Sequence, residues 1–153
     1  MIRVGLDTNI LAYLAGVDRG PHDRDRIDQS RTLMIQMAGR AEVCIATQAA
    51  AELFVVLTRA GASRPEARDI VSDMTNGLER IGATPETLDR ALDLSVTRQL
   101  QLWDALILTS YADAGCTLML SEDLQHGQTV GSVTVVNPFK EPLHEMLTAV
   151  LRP

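Results

Sequence analysis

Residues 2–14 read IRVGLDTNILAYL, and this stretch decides the fold. The first five residues are mainly apolar and include β-branched side chains, which favours a short buried strand. The residues NILAYLA that follow have the apolar spacing of a helix. Asp7 stands between the two segments. The stretch therefore predicts a strand whose carboxyl end delivers Asp7 to a strand-to-helix turn.

Strands and helices are predicted to alternate along the rest of the chain. EVCIA, CTLML and VTVV have the composition of short buried strands, at residues 42–46, 116–120 and 133–136. The polar residues 16–28 are expected to form a loop, and a helix to follow it until Gly39. Thr47 is the expected N-cap of a helix that ends at Gly61. Further helices are predicted at residues 63–78, from Thr84 to residues 96–100, at residues 103–115 and in the tail, residues 140–151.

Strands separated by helices are typical of βαβ units and a parallel sheet. The predicted fold class is therefore α/β, a three-layer α/β/α sandwich with a mostly parallel central sheet. The chain has 153 residues, which fits a single domain over residues 1–153. Apolar residues make up 46% and charged residues 22%, both near globular averages, which argues against extended disorder, collagen and coiled coil.

Charge and composition limit what the protein can bind. The formal net charge of −6 argues against holding nucleic acid by bulk positive charge. Only 3% of the residues are aromatic, so base stacking is not expected to be a large part of any hold on RNA. No apolar run is long enough to span a membrane, and Asp7 interrupts the amino-terminal run too early for a signal peptide. We expect a cytoplasmic protein in which Cys44 and Cys116 are reduced, buried thiols.

Four acidic residues stand inside or directly after apolar segments: Asp7, Glu52, Asp104 and Asp123. An ionised carboxylate buried without a partner costs several kcal/mol, so each of them needs compensation. None of the near sequence neighbours is cationic. For any one of these acids, a position at the edge of its element, a capping role or a distant arginine partner stays open.

Topology is the reason to consider the four acids together. The carboxyl ends of parallel strands and the first turns of the helices after them meet at one edge of a sheet. A cluster of carboxylates at this edge would repel itself unless a divalent cation lay among the oxygens. An all-carboxylate ligand set selects Mg²⁺, which Mn²⁺ can replace, over zinc. Such a site is suited to phosphodiester hydrolysis, and the cation would supply the positive charge that the protein lacks.

At this point the motifs resemble a known family. GLDTNILAY is similar to the opening signature of PIN-domain nucleases, and Glu52, LWDALIL, LMLSEDLQHG and VVNPF follow in the order of that family over roughly residues 2–139. The likeness is greatest to VapC-type toxin ribonucleases of toxin–antitoxin pairs. It implies that Asp7, Glu52, Asp104 and Asp123 form a catalytic metal site. It also implies that Asn9 and Ser121 orient Asp7 and Asp123, with Ser121 standing where the family often has threonine.

The resemblance carries expectations about partners as well. It implies an RNA substrate, a homodimer and a cognate VapB-like antitoxin that covers the site, into which an arginine of the antitoxin could insert. The choice of RNA over DNA rests on the resemblance alone.

Several neighbouring residues have a structural and a functional interpretation. Glu122 is expected to point away from Asp123 rather than to bind metal. His126 is expected to be structural or merely exposed, although it could contact the scissile phosphate; His22 and His144 are expected at the surface. Trp103 is expected to pack rather than to stack on a base. The loop that carries Arg19, Arg24 and Arg26 is expected to be solvated. In the alternative interpretation, these arginines contact RNA phosphates.

Two other functions stay open. Aspartyl-phosphate enzymes also place an aspartate at the end of the first strand, and Asp7 would then be a nucleophile. That chemistry normally uses a nearby lysine, and the only lysine, Lys140, lies in the tail. In the other alternative the chain is a non-catalytic binding protein whose acids complement the arginines of a partner.

Overall fold

A six-stranded sheet forms the centre of the computed structural model, which describes all 153 residues. Its strands are β1 (Ile2–Leu6), β2 (Ala41–Ala46), β3 (Glu79–Ile81), β4 (Leu118–Leu120), β5 (Thr129–Val130) and β6 (Val133–Val136). They are ordered β3-β2-β1-β4-β6-β5, and every neighbouring pair is parallel except β5 and β6. The predicted mostly parallel sheet is confirmed.

Seven helices complete the α/β fold: α1 (Thr8–Leu14), α2 (Asp23–Met37), α3 (Thr47–Arg59), α4 (Arg64–Thr75), α5 (Pro85–Arg98), α6 (Leu102–Asp113) and α7 (Glu145–Leu151). A cluster of 28 buried residues, from Val4 to Val150, fills the space between helices and sheet. The central strand β4 is buried at all three positions, as a strand covered on both faces must be. No helix is both long and apolar enough to cross a lipid bilayer.

Hydrogen bonds with Tyr111 of α6 hold the carboxyl end of β1 in place. The Tyr111 hydroxyl donates a hydrogen bond to the Leu6 carbonyl at 2.5 Å and accepts bonds from the backbone N–H groups of Leu6 and Ala46. The Tyr111 ring lies against Gly5, where an added Cβ would be 2.6 Å from the ring. Gly5 therefore gives Tyr111 the room to join the ends of β1 and β2, next to Asp7.

Replacing Gly5 with alanine is expected to destabilise the protein by about 1 to 3 kcal/mol, because the new methyl group would overpack the Tyr111 ring. The free energy of unfolding in urea measures this cost. Gly20→Ala is the matched control: no heavy atom would lie within 4 Å of the new Cβ, and its effect should stay within about 0.5 kcal/mol. Equal stability of the two variants would contradict the role given to Gly5.

Two helix starts follow the predicted capping pattern. Ser63 and Glu66 form a reciprocal capping box at α4, and Thr84 and Thr87 form one at α5. The prediction for α3 was wrong by one residue: Ala46 is the N-cap, without a side-chain cap bond, and Thr47 is already helical. Thr47 therefore does not cap α3, and the helix is stabilised instead by the packing of its buried face.

Other boundaries also differ from the prediction. Helix α2 begins at Asp23, inside the predicted loop, because Asp23 and Asp25 suit the first turn of a helix and Ile27 is buried. Helix α4 ends at Thr75 rather than near Leu78, and the chain continues into the unpredicted β3. Strand β5 was also missed, since two residues give no periodicity. Cys44 and Cys116 are free and buried, as expected.

Candidate metal centre

Asp7 lies at the carboxyl end of β1 and is the N-cap of α1. Its backbone N–H donates to the Leu120 carbonyl at 3.0 Å, which ties the end of β1 to the end of β4. One side-chain oxygen, Oδ1, accepts the Thr8 N–H at 2.8 Å. The other, Oδ2, accepts the Ser121 hydroxyl at 2.6 Å. The carboxylate is therefore held in one orientation at the edge of the sheet.

Asn9 bridges two of the acids. Its Nδ2 donates to Asp123 Oδ2 at 3.0 Å and to Asp7 Oδ2 at 3.3 Å. Its Oδ1 accepts the Glu122 N–H at 3.3 Å, which fixes which way the amide points. The Ser121 hydroxyl, besides donating to Asp7, accepts the Leu124 N–H at 3.2 Å. Asn9 and Ser121 thus contact Asp7, and Asn9 contacts Asp123 as well.

Glu52 projects from the second turn of α3 and is held by two neighbours. Its Oε2 accepts the Thr8 hydroxyl at 2.7 Å, and its Oε1 accepts Gln48 Nε2 at 3.1 Å. Gln48 lies four residues earlier, on the same face of the helix. Sequence reasoning noted Thr8 and Gln48 only as uncharged neighbours, and their bonds to Glu52 could not be read from spacing.

Asp104 lies in the first turn of α6, and all four acids line one cavity of about 510 Å³. Five other residues complete the lining: Thr8, Asn9, Gln99, Leu100 and Gln101. The acids come from the end of β1, from α3, from the first turn of α6 and from the loop after β4. The structure therefore brings together the four acids that the sequence singled out.

No cation neutralises these acids. None of the five ion pairs of the molecule involves Asp7, Glu52, Asp104 or Asp123, and no arginine, lysine or histidine lines the cavity. Burial raises the pKa of Asp7 to about 6, and the charges of Asp104 and Asp123 add to this rise. Burial also raises the pKa of Asp104, with Glu52 and Asp123 contributing. The pKa values of Asp7 and Asp104 are thus raised in part by the charges of the neighbouring acids.

The donor set fits a hard divalent cation, but the side chains do not form a closed coordination shell. No group of three or more Asp, Glu, His or Cys side chains is arranged to hold a metal ion. Instead, Glu52 bonds to Thr8 and Gln48, and both oxygens of Asp7 accept hydrogen bonds. Mg²⁺ bound to proteins usually keeps several waters and uses only one or two carboxylates directly. An open ring of acids around a polar cavity suits that mode better than a cage of protein ligands.

Glu122 points away from the cavity and anchors the loop that carries Asp123. Its Oε2 pairs with Arg26 Nε at 2.8 Å, and its Oε1 accepts the Tyr13 hydroxyl at 2.6 Å. The Arg26 guanidinium lies 4.4 Å from the centre of the Phe139 ring, and Tyr13 packs edge-on against the same ring. Because the Glu122 N–H also orients Asn9, this anchor is connected to both Asp7 and Asp123.

We expect Glu122→Gln to lower the free energy of unfolding by about 1 to 2 kcal/mol, because the charge that pairs with Arg26 is lost. It should also raise the Mg²⁺ concentration for half-maximal activity about 10-fold, since residues that orient ligands tune metal affinity. Glu42→Gln is the control, because Glu42 pairs with Arg3 at 3.1 Å at the other end of the sheet. Identical Mg²⁺ titrations of the two variants would show that the Glu122 anchor is only structural.

The candidate histidine, lysine and arginine side chains do not line the cavity. His126 does not line the cavity: its Nδ1 accepts the Asn137 N–H at 3.0 Å, and burial lowers its pKa. Lys140 is exposed and does not line the cavity. The alternative function in which Asp7 is a nucleophile therefore has no lysine beside Asp7. Arg26 is committed to Glu122, whereas Arg19 and Arg24 form no ion pair.

The expectation for Trp103 was wrong. The side chain is 55% exposed rather than packed. The preceding residue, Leu102, and the following buried residues Ala105 and Leu106 pack with α5, which leaves Trp103 on the outer side of the first turn of α6.

Fold and site together match one protein family. The family model of the PIN domain matches residues 4–130, and the chain therefore belongs to the PIN domain family. PIN domains are generally nucleases that use divalent metal ions. A comparison with curated proteins finds no significant sequence match.

Solved structures with the same fold include two from toxin–antitoxin systems. VapC20 of Mycobacterium tuberculosis, a toxin that cleaves the sarcin-ricin loop, superposes with a TM-score of 0.63 at 17% identity, over 78% of this chain and 89% of that chain. VapBC2 of Rickettsia felis, bound to a DNA fragment from its promoter, gives a TM-score of 0.66 at 14% identity, over 88% and 97% of the two chains. At these identities the likeness concerns the fold.

Proposed function

We propose that this PIN domain is a Mg²⁺-dependent endoribonuclease and the toxin of a VapBC-type toxin–antitoxin system. The observation that carries the proposal is the cavity lined by four carboxylates without a neutralising cation. The folds of VapC20 and VapBC2 support the assignment to toxins. A toxin of this kind would act on RNA in the cytoplasm.

Asp7, Glu52, Asp104 and Asp123 would hold Mg²⁺, or Mn²⁺ in its place. A bound divalent cation supplies a water of lowered pKa as nucleophile and stabilises the negative charge that develops on the phosphate. Asn9 and Ser121 would keep Asp7 and Asp123 in place through the hydrogen bonds described above. Apart from Leu100, the other residues that line the cavity are polar, which suits a phosphodiester strand as ligand.

The decisive experiment is an RNA cleavage assay with purified protein in Mg²⁺, in Mn²⁺ and after treatment with EDTA. We expect cleavage with either ion, none with EDTA, and recovery when Mg²⁺ is added back. Labelled total RNA and single-stranded DNA of matched length are offered in parallel, and we expect only RNA to be cut. Cleavage that persists in EDTA would exclude the metal-dependent mechanism. No cleavage under any condition, with folded protein, would favour the non-catalytic alternative.

The same cavity would be the target of the antitoxin. The VapBC2 structure contains toxin and antitoxin together, which supports a VapB-like partner for this chain. An arginine from that partner could make charge-assisted hydrogen bonds to the unpaired carboxylates and exclude the substrate. Co-expression with the product of an adjacent small open reading frame, followed by copurification and the cleavage assay, tests this part of the proposal.

We also propose that the protein is a homodimer. Helix α5 presents three exposed apolar side chains at helical spacing, Leu88, Leu92 and Val96. Light scattering of the purified protein measures the mass in solution, and a monomer at micromolar concentration would contradict this part.

A further inference from the structure

Trp103 is the most exposed aromatic side chain that the chain offers to solvent. It is the only tryptophan and is 55% exposed, whereas Tyr13 and Tyr111 are buried and Phe139 is covered by Arg26. Exposing half of an indole to water forgoes much of the free energy that its burial would contribute. Nothing in the fold requires this residue at the surface, because its neighbours in α6 form the contact with α5.

Trp103 is close in the sequence to residues of the metal centre. It directly precedes Asp104 and follows Gln101 by two residues, and both of those line the acidic cavity. Gln99 and Leu100 line it too, so the whole 99–104 segment except residues 102 and 103 faces the cavity. Gln99 has a φ of 54°, the only non-glycine residue of the chain in the left-handed region. Trp103 itself does not line the cavity, but it is exposed and lies in the same first turn of α6 as Asp104, one residue from the cavity wall.

The surroundings of Trp103 favour a nucleic-acid ligand over a protein one. The cavity next to this turn is lined by polar residues apart from Leu100, whereas protein interfaces bury a continuous apolar patch. The cavity contains no cation of its own, and the formal net charge is −6. Electrostatic attraction to phosphates is therefore weak outside the metal centre. Stacking of a base on an aromatic ring needs no positive charge.

We propose that Trp103 is a stacking platform for a nucleobase that flanks the scissile phosphate, with Gln99 and Gln101 at the rim of this subsite as hydrogen-bonding groups. The ligand is a single-stranded segment of RNA. This inference rests on the proposed function, since it concerns the substrate of the same centre. It assigns Trp103 to substrate binding and not to the chemical step.

The single tryptophan makes the test direct, because fluorescence excited at wavelengths that Tyr13 and Tyr111 do not absorb reports on Trp103 alone. The RNA is the segment around the site that the wild-type protein cuts, and it is titrated into the Asp7→Asn variant so that it stays intact. We expect saturable quenching of the fluorescence. The same strand with abasic sites beside the cut should bind more weakly, and it should not quench the fluorescence at saturation. Absence of quenching by an RNA that demonstrably binds would overturn the proposal.

Steady-state kinetics separate binding from chemistry. Trp103→Ala should raise KM about five- to 100-fold, the usual loss for one stacked base, with kcat changed by no more than about twofold. Trp103→Phe, which keeps an aromatic face, should recover most of the loss. Ile35→Ala is the matched control, because Ile35 is 76% exposed on α2, outside the cavity and not on the apolar face of α5.

The outcomes are distinguishable from failure of the proposed function. If wild-type protein cuts RNA but Trp103→Ala has an unchanged KM, the stacking subsite is wrong and the nuclease stands. If wild-type protein cuts no RNA, the proposed function has failed, and quenching is then tested with a random-sequence RNA pool. A change in the solution mass of Trp103→Ala, without a change in KM, would assign the residue to an interface between copies and overturn the proposal.

Discussion

Asp7→Asn is expected to abolish RNA cleavage and at the same time to stabilise the protein when divalent cations are removed. Loss of one ligand of the metal centre should reduce kcat/KM at least about 100-fold, because metal stabilisation of the reacting phosphate contributes several kcal/mol. The isosteric amide can still accept the Thr8 N–H, so the N-cap of α1 is retained. The two effects have opposite signs because Asp7 is placed for chemistry and not for stability.

The stability gain follows from the pKa of Asp7. Burial and the neighbouring carboxylates raise this pKa from 3.8 to about 6 in the folded protein. Between these values the folded protein binds more protons than the unfolded chain, so EDTA-treated wild type loses stability as the pH rises from about 4 to about 6. The full loss corresponds to about 3 kcal/mol.

Asparagine removes this charge, although its amide cannot accept from both Ser121 and Asn9 as the carboxylate does. We therefore expect a net gain of about 1 to 2 kcal/mol at pH 7. Urea unfolding at pH 4, 5, 6 and 7 in EDTA measures it, and the difference between variant and wild type should grow with pH.

Asp113→Asn is the matched control for both effects. Asp113 is an acid outside the cavity that accepts the Thr87 hydroxyl at 2.7 Å and pairs with Arg90. Its neutralisation should lower stability slightly and leave cleavage unchanged. If Asp7→Asn were less stable than wild type at every pH, the Asp7 carboxylate would not be under electrostatic strain, and the main argument for a cation at this site would be lost.

The acids of the site could be predicted from the sequence because each of them breaks a simple pattern. Asp7 ends an apolar strand, Glu52 and Asp104 interrupt apolar helices, and parallel topology brings strand ends and first helical turns to one edge. Asn9 was assigned through the family motif, and its side chain donates hydrogen bonds to both Asp7 and Asp123. These assignments depended on the order of strands and helices along the chain, which the hydrophobic periodicity of the sequence predicts well.

What could not be predicted depends on side-chain contacts between distant residues. Glu122 is bound by Arg26 across 96 positions of the chain, and no spacing rule connects a loop residue with one on α2. Trp103 was expected to pack because indoles usually do, but the face of α6 that contacts α5 lies on its neighbours. The sequence also could not show that the coordination shell is not closed. The four carboxylates line one cavity, but no three of them are arranged to hold a metal ion.

A divalent cation is expected to raise the melting temperature of the wild-type protein markedly. Any ligand that binds only the folded state stabilises it by mass action, about 2.7 kcal/mol at a concentration 100 times the Kd. For a domain of this size that corresponds to roughly 5 to 10 °C. The gain should be large here because the cation relieves the mutual repulsion of four acids as well as binding to them.

Asp104→Asn separates this effect from nonspecific binding to an acidic protein. The variant keeps 19 of the 20 acidic residues and nearly all of the net charge, so nonspecific stabilisation by Mn²⁺ should persist in it. A specific centre loses a ligand in the same variant, and most of the temperature rise should disappear. Differential scanning fluorimetry over a Mn²⁺ titration measures both proteins, with Ca²⁺ and Na⁺ at matched ionic strength as references. Equal shifts in wild type and variant would mean that the cavity is an acidic surface and not a metal centre, and the arginines of a partner protein would then be its more reasonable ligands.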